Sequence, residues 1–374
     1  MARRVRRVEP PAQDDLLTLR LIWTHTAGSE SEFYAPGWMK ILSLAPLAGP
    51  GLEKLRSLGD LEIDPWIEHV PIKMTAGPDL IVRLDGVDVL IVEPDPVFGD
   101  VFDAAPSLKV IGICRGDPVN IDIAAATKAG IPVLRAPGRN ADAVAELTLG
   151  LIIGVTRGVV AADADVRAGR WVIDERIPQQ RYQGNEIGAM TFGLVGCGAV
   201  GRAIGAKLAA LGGTVLAFDP YADPDDLRSL GIELVSLEDV LSKTDVVSVH
   251  AAVTPETRGM LGDAEFAMMK KGAYFVNAAR FGIAQEQPLL DALRSGHLAG
   301  AAFDHFEGEF LPVDHPLLSM TNVVLTPHIG GQTPQTVENH TQAIADGLEA
   351  LLQGREPSNV VNPEVLQAFF AAAR

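Results

Sequence analysis

Cysteine is nearly missing from this sequence: there are two in 374 residues, Cys114 and Cys197, far apart and in apolar or glycine-rich settings. That excludes a disulfide framework and fits a reducing cytoplasm. Aromatic residues are scarce as well, at 6% against 47% hydrophobic overall, so the interior must be filled by aliphatic side chains. No apolar run approaches the ~18 to 20 residues of a membrane-spanning helix, and no membrane role is expected. Basic residues are outnumbered, 31 Lys and Arg against 48 Asp and Glu, and the formal charge of −17 speaks against a nucleic-acid partner, which needs a basic face. An anionic small molecule would then need a local cluster of cations. The first ten residues, MARRVRRVEP, are basic but are not followed by the apolar stretch of a secretory signal, so residues 1–15 read as a loose tail.

What the chain does have is alternation. Short runs rich in Val, Ile and Leu alternate with amphipathic stretches, the pattern of parallel sheets covered by helices on both faces. A first set comprises KILSLAP (40–46), LEIDPW, VDVLIVE (87–93), LKVIGIC (108–114) and IPVLRAP (131–137). A segment of about thirty residues beginning ADAVAELTLGLIIGV has apolar groups at helical spacing and reads as a long, interrupted helix. A second set runs through MTFGLVG (190–196), GTVLAFD (213–219), GIELV, TDVVSVH (244–250), GAYFVNAA (272–279), LAGAAFD (298–304) and TNVVLTPH (321–328), and a last helix begins TPQTVENH. The fold class is therefore α/β, with two doubly wound parallel sheets. Residues 16–137 plus 333–374 are expected to form a substrate domain into which a nucleotide-binding domain, 138–332, is inserted.

Within GLVGCGAVGRAIG lies GxGxxG, as Gly196, Gly198 and Gly201. A glycine trio alone is weak evidence in a chain with 37 glycines. Here an apolar strand precedes it, a helix-periodic stretch follows it, and the next strand ends at Asp219. Such a turn lets a pyrophosphate approach the backbone at a helix N-terminus, while the acidic residue bonds ribose hydroxyls and repels a 2'-phosphate, which predicts NAD rather than NADP.

Ligands in such sheets bind at the carboxyl ends of strands, so chemistry is sought there. Three ends carry suitable groups: Arg280, a cation for a carboxylate; His328, an acid/base; and Glu309, which can tune it. Taken singly, each has an ordinary structural alternative, a solvated loop Arg or Glu and a satisfied core His. Together they form a plausible set. The acidic and His-rich segment 304–315 has no HExxH spacing or paired cysteines, so no metal site is expected.

Several ordered motifs, PGRNADAVAELTLGLI, GLVGCGAVGRAIG…AFDPY, NAARFG, FDHFEGEF, LTPHIGGQT and GREPSNVVNPEV, make residues from about 40 to 365 resemble the D-isomer-specific 2-hydroxyacid dehydrogenase family. The resemblance implies a flavodoxin-like substrate domain, a Rossmann NAD domain and an NAD-dependent oxidoreductase acting at C2 of a small D-2-hydroxy or 2-oxo acid. By the same resemblance His328 exchanges the 2-hydroxyl proton, Glu309 orients its ring and Arg280 holds the carboxylate. Ala199, Val200, Ala278, Asp304 and Gly331 then join the glycines and Asp219 around the cofactor. It further implies a homodimer through the 141–168 segment, and a second reading as an NAD(H)-sensing corepressor-like protein.

Departures from the family pattern bear on the substrate. Phe281 stands where glycine is usual and is expected to narrow the pocket, and Phe310 replaces a proline. The turn after the fourth strand, CRGDPVNID, offers Arg115, Gly116 and Asp117 to the substrate, while Pro118 withdraws a donor. After VDVLIV come Glu93 and Asp95, two carboxylates expected to repel a substrate phosphate. The stretch beyond His328 is too short for an appended regulatory domain.

Overall fold

A computed structural model describes residues 39–372; the tail expected at 1–15 lies outside them, as do residues 16–38 of the expected substrate domain. Five strands, β1 (Met39–Ser43), β2 (Gly59–Ile63), β3 (Val89–Val92), β4 (Val110–Ile113) and β5 (Val133–Arg135), form a parallel sheet in the order β2-β1-β3-β4-β5. This is the flavodoxin-like winding. Seven more, β6 (Thr191–Val195), β7 (Thr214–Phe218), β8 (Ile232–Leu234), β9 (Val246–Val249), β10 (Ala273–Asn277), β11 (Leu298–Phe303) and β12 (Val323–Leu325), form a second parallel sheet ordered β12-β11-β10-β9-β6-β7-β8. The order reverses between β6 and β9, the switch point at which Rossmann-type sheets take a dinucleotide.

Alternation within the strands explains why both faces are covered. In the first sheet Leu90, Val92, Ile111 and Ile113 face one core, while Val89, Ile91, Val110 and Leu134 face another. The second core is closed by the helix Pro334–Leu352, which lays Ile344, Ala345, Leu348 and Leu351 on that face. Gly112 is needed there, because a Cβ would stand 2.7 Å from Cγ2 of Ile344. Truncating a fully buried leucine such as Leu348 to alanine would cost about 2–5 kcal/mol.

The helical segment after β5 is two helices, Ala141–Thr156 and Val159–Arg167, bent by 63° at Gly158, whose φ of 60° ends the first. Leu151, Ile152 and Val155 pack with Phe192, Ile204, Val276 and Ala302, so the first helix belongs to the second sheet. Among the described residues no single helix is long and apolar enough to cross a membrane.

Candidate active site

The turn after β6 is built by steric necessity. Gly196 has φ 96°, and a Cβ on it would lie 2.6 Å from the amide of Ala251; one on Gly201 would lie 2.2 Å from the carbonyl oxygen of Gly196. At Gly198, by contrast, a Cβ would meet nothing within 4 Å. The turn is thus tight on its protein side and open on the other, where the helix Ala199–Ala210 begins without a side-chain cap. Its first amides, on Ala199 and Val200, are the ones an anion could take. Asp219, just past β7, accepts from the amides of Cys197 (2.7 Å) and Tyr221 (2.8 Å), which fixes its carboxylate against the glycine turn.

The ends of β10, β11 and β12 meet beside it. Asn277, the last residue of β10, accepts from the amide of Ala279 and donates to the carbonyl of Arg280, shaping the turn through Ala278. Arg280 is exposed, and one guanidinium nitrogen donates to the Ala279 carbonyl at 2.8 Å, leaving most of its fork free. His328 Nδ1 lies 2.7 Å from Oε2 of Glu309. A carboxylate there makes Nδ1 the donor and leaves Nε2 to take or give a proton. Both residues have positive φ, 68° at Glu309 and 54° at His328. For side-chain-bearing residues this conformation is costly, and such costs are retained where the surroundings impose a functional geometry.

Asp304, 1% exposed, sets where His328 stands. One of its oxygens accepts from the Thr326 hydroxyl and the Ile329 amide, the other from the Gly330 amide, all within 2.7–2.9 Å. Gly331 follows, against Asn140 of the linker between the sheets. His305 stands edge-on to His328, ring centroids 4.9 Å apart, with Nε2 3.7 Å from Glu309. Burial, then the charges of Arg280 and His328, lower the His305 pKa, which favours a neutral ring. Donor atoms of His305, Glu309 and His328 lie within 4.8 Å of one another. The facing atoms of Glu309 and His328 are joined by a hydrogen bond, and the His305 imidazole flanks that pair.

Two expectations about the pocket change. Phe281 does not narrow it: the ring is 7% exposed and packs on Phe303 and Phe306, centroids 5.6 and 6.0 Å apart, because it joins a cluster of phenylalanines in this core. Nor do Glu93 and Asp95 present two bare carboxylates. Glu93 binds Arg139 at 2.5 Å and accepts from Trp66, while Asp95 is fully buried, accepts from the Thr75 amide, and has its pKa raised by burial. Arg139 also donates to Nδ1 of His340, whose Nε2 reaches the Pro46 carbonyl. Arg139, Asn277 and His305 lie within the PGRN, NAARFG and FDHFEGEF motifs, but the motifs do not say what they touch; Arg139's partners lie 46 and 201 residues away in sequence, beyond any local signal.

On the substrate side, Arg115 and Gly116 are half-buried and Asp117 is exposed, directly after β4. Gly116 lies against Pro137, and Gly138 faces Ala199. The turn is thereby brought to the side of the linker that meets the nucleotide turn.

Comparison with known proteins agrees with this geometry. A family model described as D-isomer specific 2-hydroxyacid dehydrogenase, NAD binding domain, matches residues 149–330. The chain is 37% identical over 320 residues to the glyoxylate reductase of Thermofilum pendens, covering 85% of this chain and 93% of that protein. It is 34% identical over 326 residues to the D-3-phosphoglycerate dehydrogenase of Methanocaldococcus jannaschii, covering 87% of this chain but 59% of that longer protein. The NAD-complexed D-isomer specific 2-hydroxyacid dehydrogenase of Lactobacillus delbrueckii ssp. bulgaricus superimposes with a TM-score of 0.73 and 26% identity, covering 87% of this chain and 100% of that one. The chain belongs to the D-isomer specific 2-hydroxyacid dehydrogenase family and carries that family's NAD-binding domain.

Proposed function

We propose that the protein is an NAD-dependent oxidoreductase that interconverts a small D-2-hydroxy acid and its 2-oxo acid in the cleft between the two sheets. The observation that carries this is the 2.7 Å pair of His328 and Glu309 at strand ends beside the glycine turn. A nucleotide sensor has no need of an acid/base pair held in a costly backbone conformation.

NAD fits the residues present. Gly198 leaves open space where a pyrophosphate would approach, Ala199 and Val200 offer amides, and Asp219 stands where ribose hydroxyls would be bonded and a 2'-phosphate repelled. When bound, the nicotinamide supplies the hydride acceptor or donor. The chain's own residues do the rest. Arg280 takes the C1 carboxylate in its free fork and polarises the 2-oxygen. Nε2 of His328 removes the 2-hydroxyl proton during oxidation and returns it during reduction. Glu309, holding Nδ1–H, stabilises the imidazolium in between. Ala278, Asp304 and Gly331 lie along the same ends, and Asp304 acts by holding the turn that carries His328.

Two copies would associate through the bent helical segment, which leaves Ile153, Val159, Val160, Val166, Trp171 and Val172 exposed. Sedimentation at micromolar concentration should return a dimer. The function is tested by following NADH oxidation with glyoxylate, hydroxypyruvate, pyruvate, 2-oxoglutarate and phosphohydroxypyruvate. At least one should be reduced, and tight NADH binding with none reduced would favour the sensor.

A further inference from the structure

Arg115 follows directly on β4, at the edge where sheets of this winding collect ligands. Its guanidinium is half-buried, and among the described residues none accepts a hydrogen bond from it or forms an ion pair with it. Its neighbours are different: Arg139 is held by Glu93 and His340, and Arg135 reaches the Gly116 carbonyl. A cation drawn partly out of water without a partner is costly. Burial and the nearby charges of Arg139 and Arg280 lower the Arg115 pKa, with Glu93 and Asp117 opposing them only in part. Glu93 is engaged by Arg139 and Asp95 is buried against Thr75, while Asp117 of the same turn is exposed and, among the described residues, forms no ion pair with Arg115.

Position makes this cation useful. The 115–117 turn packs on the linker at Pro137, Gly138 next to it faces Ala199 of the nucleotide turn, and Asn140 further along touches Gly331 beyond His328. Arg115 from one sheet and Arg280 from the other therefore border one cleft. Pro118 removes an amide from the turn, so an anion there depends more on the side chain.

We propose that Arg115 binds a second anionic group on the substrate, a carboxylate or a phosphate at the end remote from C1, making the cleft selective for dianionic 2-oxo and 2-hydroxy acids. This rests on the reading of the cleft as a 2-oxo acid site, with Arg280 on the C1 carboxylate.

The test uses pairs that differ in the second anionic group, matched in chain length for the two carboxylate pairs. Calorimetry on the full chain saturated with NAD, which cannot reduce a 2-oxo acid, compares oxaloacetate with 2-oxobutyrate, 2-oxoglutarate with 2-oxovalerate, and phosphohydroxypyruvate with hydroxypyruvate. The wild type should bind at least one dianion about 10- to 100-fold tighter than its partner, the span expected of a hydrogen bond between charged groups. The carboxylate and phosphate arms tell the two sources apart. R115Q should erase the preference, and R115K, which keeps the charge but not the fork, should retain part of it. Equal binding within every pair by the wild type, or a preference that survives in R115Q, overturns the proposal. Parallel NADH assays separate the two readings: turnover without a dianion preference leaves the dehydrogenase standing and removes the role of Arg115. A preference lost in R115Q, without turnover of any acid, does the reverse.

Discussion

The ends of β10, β11 and β12 and the ends of β3 and β4 face the same cleft but are organised in opposite ways. In the first region the polar groups are satisfied within and between the strand-end turns of one sheet: Asn277 by its own turn, Glu309 by His328 19 residues on, Asp304 by the 326–330 turn. In the second the charges are settled by other segments, Glu93 by Arg139 of the linker and Arg139 by His340 of the last long helix, and among the described residues the Arg115 guanidinium has no ion-pair partner. Reaction chemistry needs a few groups at fixed strand ends and can be written in short motifs. Selectivity depends on which charges cancel, and that is a property of the assembled cleft.

If this division holds, changes in the first region lower turnover of all substrates together, and changes in the second alter their ranking. The largest effect is expected for H328N, which should lower kcat by about 10³-fold or more for every 2-oxo acid while NADH affinity, read by fluorescence, stays within about twofold. Retained turnover would remove the acid/base role. E309Q keeps the hydrogen-bonding shape but not the charge that stabilises an imidazolium. Its kcat for reduction should fall about 10- to 100-fold, again for all substrates, with the alkaline limb of the pH–rate profile displaced to lower pH, because reduction needs the protonated imidazole.

R139Q acts in the other region. It releases the Glu93 carboxylate, so KM should rise about tenfold for dianionic acids and less for monoanionic ones, with kcat little changed. A uniform loss across substrates would break the comparison.

The same network predicts a response to acid. Burial holds the His340 pKa down at about 4, below its ordinary 6.5, so between these values the unfolded chain is protonated and the folded one is not. The neutral ring's stabilisation is full above about pH 6.5 and is lost as pH falls toward 4, by up to about 3 kcal/mol on linkage grounds. His250, buried and also held at about 4, responds in the same direction. Thermal unfolding should show a declining Tm across that window, with a shallower slope in H340Q. H305V, the smallest change, should leave kcat within a few-fold and move the pH profile slightly, since it removes only a neighbouring ring from His328.

The central strands β3, β4, β6 and β9 coincide with aliphatic runs visible in the sequence, because strands buried on both faces have few polar positions to interrupt them, whereas the edge strands β2 and β8 carry Asp60, Glu62 and Glu233. The glycine turn was legible for a related reason, since it sits where the apolar run of β6 stops; Arg280 and His328 lie three residues past β10 and β12, while Glu309 lies six residues past β11 in a turn of its own. The break at Gly158 was visible only as an uncertain interruption, since helical periodicity on either side is unchanged by a bend. Phe281 misled because a residue number next to Arg280 does not say which way a ring turns, and this one turns into the core.

The sequence by itself determined the element order, the parallel winding and the nucleotide turn. These follow from side-chain period and from backbone positions that only glycine can occupy, both local properties. The tertiary structure alone decided that Glu93 is paired with a linker arginine, that Asp95 is buried, that His305 flanks His328, and that Arg115 has no ion-pair partner among the described residues. Those outcomes depend on charges from separate strands, the linker and the last long helix meeting within a few ångströms, and Coulomb interactions at that range depend on the folded distance, not on separation along the chain.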